Sequence, residues 1–220
     1  MGGSWCQHPN ICSKVCGVGQ LSFYSAEATV PRVADLAGTL CGPGQAIGFG
    51  AGAAARLSVA LGQRWRAVAL AAACAERGID AVVTTADDGQ HLVRTAFRAD
   101  LVELARTWSR PGPGKSVPDR FVFNGVTLRL WALVAGRWSE SGYLLGLDPD
   151  GPQTHRPLVT ALVRAGVSPA LLADGDDGPA LRVSGGRRLA RLVELVGAAP
   201  PGVSGHDWPA VLPARASIGA

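Results

Sequence analysis

The sequence predicts an α+β fold built from two tandem repeats, each running helix, strand, strand, helix, strand, strand, helix. Two observations carry this prediction: short segments recur in the same order about ninety residues apart, and both copies show the same alternation of helical and strand periodicity. The recurring pairs are Ala86-Asp87-Asp88-Gly89 with Gly175-Asp176-Asp177-Gly178, Leu101-Val102-Glu103-Leu104 with Leu192-Val193-Glu194-Leu195, and Arg77-Gly78-Ile79 with Ala165-Gly166-Val167. Three matched landmarks in one order favour a duplicated unit.

The first repeat is predicted over residues 29–109. Val33, Leu36 and Leu40 have the spacing of one helical face, and Gly42-Pro43-Gly44 ends that helix. Asp-Gly at the Ala86–Gly89 landmark favours a tight hairpin turn. The remaining predicted elements are strands near 45–51 and 56–61, a helix over 64–77, strands over 79–85 and 91–96, and a helix over 98–108.

The second repeat is predicted over residues 124–200. It follows a segment over 110–123 whose first half is rich in Pro and Gly and therefore reads as a linker. A helix from Val126 to Ala135 is apolar nearly all round, which is typical of a helix buried between other elements. The remaining predicted elements are a short hairpin over 137–147, a helix over 154–165, a hairpin turn at 176–178 and a helix over 187–196.

The two ends of the chain show no sustained periodicity. Residues 1–28 read as a flexible extension and residues 201–220, after Pro200, as a tail. Neither a signal peptide nor a membrane-spanning run is found, so we expect a cytoplasmic protein with no membrane partner.

Cysteine spacing predicts no metal site. Cys6, His8, Cys12 and Cys16 crowd together near the start of the chain, but their spacing matches no known tetrahedral zinc motif. We therefore predict no metal and no cofactor.

Composition leaves the function open. The chain has 220 residues, 47% of them apolar and 17% charged, which excludes a disordered tail or a coiled coil. The formal net charge is only +4, and residues 30–109 and 124–200 each carry a near balance of basic and acidic groups. A pI near 9.0 therefore neither requires nor forbids a nucleic-acid partner.

The repeat resembles the LAGLIDADG homing-endonuclease fold, in particular the endonuclease-like domain of the WhiA family of bacterial regulators. The resemblance depends on two segments. In the first repeat, Leu36-Ala37-Gly38 begins the family motif and Gly44 ends it, and in the second repeat Leu130-Trp131-Ala132 stands at the equivalent place. The resemblance implies a pseudo-two-fold domain with a saddle-shaped antiparallel sheet, and it places Gly38 and Ala132 where the two central helices touch.

Departures from the family pattern bear on activity. The resemblance implies an acidic residue at the end of each central helix, where the pair holds a divalent metal, but Cys41 and Ala135 stand at those places. The helix-turn-helix module of WhiA-like regulators is also not found after residue 201. We therefore expect a chain that is not an enzyme.

A glycine-rich run suggests a different hypothesis, that the chain is a nucleotide-binding enzyme. Gly50-Ala51-Gly52-Ala53-Ala54-Ala55 fits the dinucleotide pattern, which requires a strand before it and a helix after it. Because Leu57 and Val59 alternate with polar or small residues as in a strand, a glycine-rich hairpin is the alternative.

The candidates for nucleic-acid contact are basic side chains that alternation points away from the core. Leu57, Val59 and Leu61 are predicted to face inward, which leaves Arg56 outward, and the same argument applies to the pseudo-symmetric pair Arg94 and Arg182. Phosphate contacts would extend the surface. The candidate residues are Arg56, Arg94, Lys115, Arg120, Arg137 and Arg182.

These observations lead to one expected function and two alternatives. We expect a non-catalytic endonuclease-like scaffold that acts as a DNA-associated or regulatory protein, with double-stranded DNA as the partner. The first alternative is a protein-interaction module whose partner is another protein. The second is a nucleotide-binding enzyme that uses residues 50–55.

Overall fold

The computed structural model describes residues 25–110, 114–173, 178–203 and 207–210. Over these residues the chain forms two similar α+β units that follow one another in sequence. The helices are α1 (Ala37–Cys41), α2 (Arg64–Ala75), α3 (Val102–Trp108), α4 (Gly125–Ala135), α5 (His155–Arg164) and α6 (Gly186–Val196). The strands are β1 (Gln45–Phe49), β2 (Ala54–Leu61), β3 (Ala81–Thr85), β4 (His91–Thr95), β5 (Gly136–Ser139), β6 (Gly142–Gly146), β7 (Ala170–Leu172) and β8 (Ala180–Val183).

The strands form two four-stranded antiparallel sheets with the same topology. The orders are β1-β2-β4-β3 and β5-β6-β8-β7. Each unit therefore repeats helix, hairpin, helix, hairpin, helix, and the predicted α+β fold class is confirmed. The glycines of the two repeated turns are equivalent as well, because Gly89 and Gly178 have φ values of 81° and 84°, a region that favours glycine.

One face of each sheet is covered by helices and the other is not. Strand residues that alternate toward the helices, such as Leu57, Val59 and Val183, are buried and belong to one apolar core together with α4. A row of aromatic rings extends this core from the end of α3: Trp108 meets Phe121, Phe121 meets Phe123, and Phe123 stacks on Trp131 of α4. Phe121 and Phe123, predicted as part of a linker, therefore pack against the core, whereas Val122 between them is exposed.

The central helices α1 and α4 touch along small residues. A Cβ atom built on Gly38 would lie 2.0 Å from the carbonyl oxygen of Thr127 and 2.9 Å from Cβ of Leu130. Ala132 is fully buried on the same helix. The structure thus places Gly38 at the contact between the two helices.

The predicted C-terminal tail contains a core residue. Trp208 is only 4% exposed, and its indole nitrogen donates to the carbonyl oxygen of Gly197 at 2.9 Å. Trp138 donates to the carbonyl oxygen of Trp208 at 3.0 Å. The interpretation of residues 201–220 as a tail is therefore wrong for residues 207–210, because Trp208 is buried and hydrogen-bonded to Gly197 and Trp138.

The N-terminal extension also joins the fold before its predicted end. Ala26–Ala28 form a 3-10 turn, and the Glu27 carboxylate accepts a hydrogen bond from the backbone of Ala198 at 2.8 Å. The cysteines and histidine before residue 17 lie outside the described residues.

The glycine-rich run is a hairpin turn. Gly50 to Ala53 connect β1 to β2, with φ values of 62° at Gly50, 54° at Ala51 and 87° at Gly52. A strand follows the run where the dinucleotide pattern requires a helix. The nucleotide-binding hypothesis is therefore not supported.

Candidate nucleic-acid interface

The uncovered faces of the two sheets carry equivalent rows of side chains. In the first sheet, Gln45 pairs with Ser58 and Ser58 with Arg94. In the second sheet, Arg137 pairs with Leu144 and Leu144 with Arg182. Because partners in register point to the same face, Arg94 and Arg182 occupy equivalent positions and Arg137 takes the place of Gln45.

None of the eight described strands contains an aspartate or glutamate. Four arginines lie on them, and all four belong to the uncovered faces: Arg56, Arg94, Arg137 and Arg182. The carboxylates of the described residues lie in the helices, turns and connecting segments instead. The charge balance of each repeat therefore does not extend to the described strands, which carry arginine but no carboxylate.

An apolar cluster borders the first of these faces. Phe49 is 63% exposed and Phe97 is 40% exposed, and their ring centroids lie 5.0 Å apart. The Arg56 guanidinium carbon lies 4.8 Å above the Phe97 ring, an attractive cation–π geometry. Neither phenylalanine is among the residues predicted from the sequence, although the alternation of β1 places Phe49 on the same face as Gln45.

Arg182 is positioned by the turn of the neighbouring hairpin. Its Nη1 donates to the hydroxyl of Ser141 at 3.2 Å. Arg94 is exposed, and Arg120 is exposed in the segment before α4 rather than on a strand. The structure therefore places Arg56 and Arg94 on the uncovered face of the first sheet, and Arg137 and Arg182 on the uncovered face of the second sheet. Arg120 lies outside both sheets.

Lys115 does not belong to an exposed basic surface. It is 5% exposed, and its ammonium lies 2.8 Å from Oδ2 of Asp148. It also donates to the carbonyl oxygens of Gly42 at 2.5 Å and Gly44 at 2.9 Å. Its prediction as a phosphate contact is wrong, because three internal acceptors already take its three protons.

Arg66 has a similar place at the end of α4. Its guanidinium donates to the carbonyl oxygens of Leu133 at 2.5 Å and Gly136 at 2.6 Å, and it lies 3.7 Å from the Asp207 carboxylate. Burial lowers the pKa of Arg66, an effect that neighbouring Tyr143 and Asp207 oppose. Arg66 is not among the residues predicted from the sequence, although it shares a buried stripe of α2 with Leu70 and Cys74.

The ends of α1 and α4 are where the resemblance implies a divalent metal. Cys41 and Ala135 are the last residues of these two helices. Burial raises the pKa of the Cys41 thiol well above its usual range, and Ala135 offers only a methyl group. Within the described ranges, no group of three His, Cys, Asp or Glu side chains is placed to hold a metal ion. The side chains at these two helix ends do not fit a divalent cation.

No family model matches the chain, and no curated protein matches it. Solved structures do match. A structure titled as the homing endonuclease I-WcaI bound to its DNA recognition sequence has a TM-score of 0.53 and 12% identity, and the match covers 82% of this chain and 90% of that one. Mesophilic variants of the homing endonuclease I-DmoI match with a TM-score of 0.47 and 10% identity, over 76% of this chain and 95% of that one.

These matches correct one prediction. The expectation that the chain is not an enzyme is contradicted, because the solved structure that shares its fold belongs to a homing endonuclease, which is an enzyme. Cys41 and Ala135 stand where the family carries two acidic metal ligands. The absence of that one pair of ligands is only weak evidence against enzymatic activity.

No helix in the described part of the chain combines the length and the hydropathy of a membrane span. The likeness to I-WcaI covers most of both chains. The chain therefore has a LAGLIDADG-like, homing-endonuclease fold.

Proposed function

We propose that the chain is an endonuclease-like scaffold that binds double-stranded DNA through the uncovered faces of its two sheets. The observation that carries the proposal is the charge of these faces: the described strands hold four outward arginines and no carboxylate. Backbone phosphates supply most of the attraction between a duplex and a basic surface. The shared fold with a homing endonuclease bound to its DNA recognition sequence supports the same partner.

The equivalent positions of Arg94 and Arg182 suit a duplex. A duplex presents two antiparallel phosphate backbones, and a pseudo-two-fold pair of guanidinium groups can contact one on each strand. A guanidinium binds a phosphate with two parallel hydrogen bonds. Arg56 is held over the Phe97 ring, and Arg182 is held by its hydrogen bond to Ser141. Both side chains are therefore partly ordered before DNA binds.

Fluorescence anisotropy of a labelled duplex, measured over a range of salt concentrations, tests the proposal. If the four arginines contact phosphates, log K should fall with log salt with a slope of about −3 to −4. Replacing both Arg94 and Arg182 by alanine should reduce the magnitude of that slope by about 2 and weaken binding at low salt by tenfold or more.

Arg187 and Arg188 provide the matched control. Both are exposed on α6, so R187A/R188A removes the same formal charge as R94A/R182A but leaves the sheet faces unchanged. We expect the control to keep most of the affinity. Equal losses in the two double variants would show attraction to overall charge, and no retention of duplex at low salt would overturn the proposal.

A regulatory role on chromosomal DNA in the cytoplasm is the finer part of the proposal. The support for it is the resemblance of Leu36-Ala37-Gly38 and its repeat partner to the WhiA-like regulators. Chromatin immunoprecipitation of the tagged chain tests it: enrichment at a limited set of promoter regions is expected, whereas uniform coverage of the chromosome would contradict a regulatory role.

A further inference from the structure

Three oxygen atoms converge on one point at the end of α1. They are the carbonyl oxygens of Gly42 and Gly44 and Oδ2 of Asp148, all 2.5–2.9 Å from the ammonium nitrogen of Lys115. One carboxylate with two backbone carbonyls is a set of ligands that hard cations prefer. We call these three atoms the oxygen cage.

The cage is assembled from distant parts of the chain. Gly42 and Gly44 follow α1 in the first repeat, and Asp148 follows β6 in the second. Gln45 donates from Nε2 to Oδ2 of Asp148 at 2.9 Å, and the backbone of Asp150 donates to the other carboxylate oxygen at 3.0 Å. The carboxylate is thus fixed toward the cage before any cation is considered.

We propose that Lys115 is the resident cation of this cage, and that its ammonium takes the place of a bound metal ion at the end of α1. Lys115 is nearly buried, and all three of its protons have an acceptor. Burying an ammonium is costly unless it is paired and hydrogen-bonded, and the cage meets both conditions. The three oxygen atoms of the cage therefore already have a cationic partner.

The end of α4 repeats the arrangement with a guanidinium. Arg66 reaches across from α2 and donates to the carbonyl oxygens of Leu133 and Gly136, with the Asp207 carboxylate 3.7 Å away. Each central helix therefore ends on a side-chain cation that comes from another element. A cation at a helix C-terminus is favoured by the helix dipole, so the same solution serves both helices.

The cage should become a metal site when Lys115 is removed. In K115A the carboxylate and both carbonyls remain, and a space of ammonium size opens between them. We expect Mn²⁺, added in excess of its dissociation constant by about tenfold, to raise the Tm of K115A by about 3–6 °C at constant ionic strength. The Tm of the wild-type chain should not respond, because its cage is filled.

Two further variants separate a filled cage from a general effect of charge. K115M removes the same charge but fills the space with an apolar side chain, and K115A/D148N keeps the space but removes the carboxylate. Neither should respond to Mn²⁺. Rescue of K115A alone supports the proposal, whereas an unchanged Tm of folded K115A, or equal responses in all three variants, overturns it.

A measurement on the wild-type chain decides the case if K115A does not fold. Fe²⁺ bound in a protein site cleaves the nearby backbone through hydroxyl radicals when ascorbate and peroxide are supplied. The filled cage predicts no Fe²⁺-dependent cleavage near residues 42–44 or 148. Cleavage at these positions would show that a divalent cation enters the native cage, and the proposal would fail.

Discussion

Gly38 of α1 lies against the backbone of Thr127 on α4, so closely that a Cβ atom would come within 2.0 Å of the Thr127 carbonyl oxygen. No side-chain rotation can relieve such a contact, because the opposing atom is backbone. The separation of the central helices, and with it the relation between the two sheets, is therefore set by the absence of a side chain at position 38.

Gly38→Ala should destabilise the chain. The methyl group forces α1 and α4 apart within a buried contact, and overpacking of this kind costs about 1–3 kcal/mol or more. Urea denaturation measures the free energy of unfolding. Gly186→Ala is the matched control, since nothing lies within 4 Å of its added Cβ, and we expect it to be neutral. A folded G38A with wild-type stability would refute the close helix contact.

Trp208→Ala should cost about 3–5 kcal/mol of stability, because a large buried ring is lost. Trp208→Phe keeps most of the ring but loses the hydrogen bond to Gly197, and we expect it to cost about 1 kcal/mol beyond the lost volume. Thermal denaturation of both variants measures the difference. If W208A unfolds at the wild-type temperature, residues 207–210 do not belong to the core.

Local pattern predicted the elements better than it predicted buried charges. The alternation in β2 correctly predicted that Leu57 and Val59 face the core and that Arg56 faces away from it. Successive side chains of a strand point to opposite faces of the sheet, so the local sequence is enough to assign each one. The paired repeats likewise predicted the turn at Gly89 and the equivalent position of Gly178, both with positive φ; residues 176 and 177 of the second predicted turn lie outside the described residues.

Lys115 and Trp208 were misassigned because their partners are remote. The acceptors of Lys115 lie near residues 42–44 and at Asp148, and nothing in the local sequence around position 115 indicates them. Arg66 did carry a local signal, a charge on the same helical stripe as Leu70 and Cys74, but its acceptors on α4 are visible only in three dimensions.

Stability should fall as the pH rises above about 9. Burial raises the pKa of the Cys74 thiol from 9.0 to about 11, although neighbouring Arg77 opposes the shift. A pKa that is higher in the folded state means that the native chain holds its proton while the unfolded chain loses it. The contribution is therefore complete below pH 9 and is lost as the pH rises toward 11.

Cys74→Ala isolates this term. The variant loses packing at every pH, but its loss of stability between pH 8 and pH 11 should be smaller than that of the wild-type chain by about 2 kcal/mol. Burial also raises the pKa of Cys41 and Tyr143, so some alkaline sensitivity remains in C74A. Urea denaturation across this pH range measures both chains. Parallel pH profiles would show that the Cys74 thiol titrates alike in the folded and unfolded states.

Phe49→Ala should weaken duplex binding without changing its salt dependence. Phe49 projects from the same sheet face as Arg56 and contacts Phe97, so a duplex held by the arginines would cover its ring. The loss of that apolar contact should reduce affinity about three- to tenfold, because burial of a partly exposed aromatic ring contributes about 1 kcal/mol. No charge is removed, so the slope of log K against log salt should stay as in the wild-type chain.

Val68→Ala is the control for this prediction. Val68 is 55% exposed but lies on α2, on the helical side of the first sheet, so its truncation should leave binding unchanged. Anisotropy titrations of F49A, V68A and R94A/R182A on one duplex then distinguish apolar from phosphate contacts. F49A should bind more weakly with an unchanged salt slope, and V68A should bind as the wild-type chain does. R94A/R182A should show a smaller slope. If F49A and V68A bind alike while R94A/R182A loses affinity, the arginines contact DNA but the aromatic border of the face does not, and the duplex lies nearer the centre of the sheets.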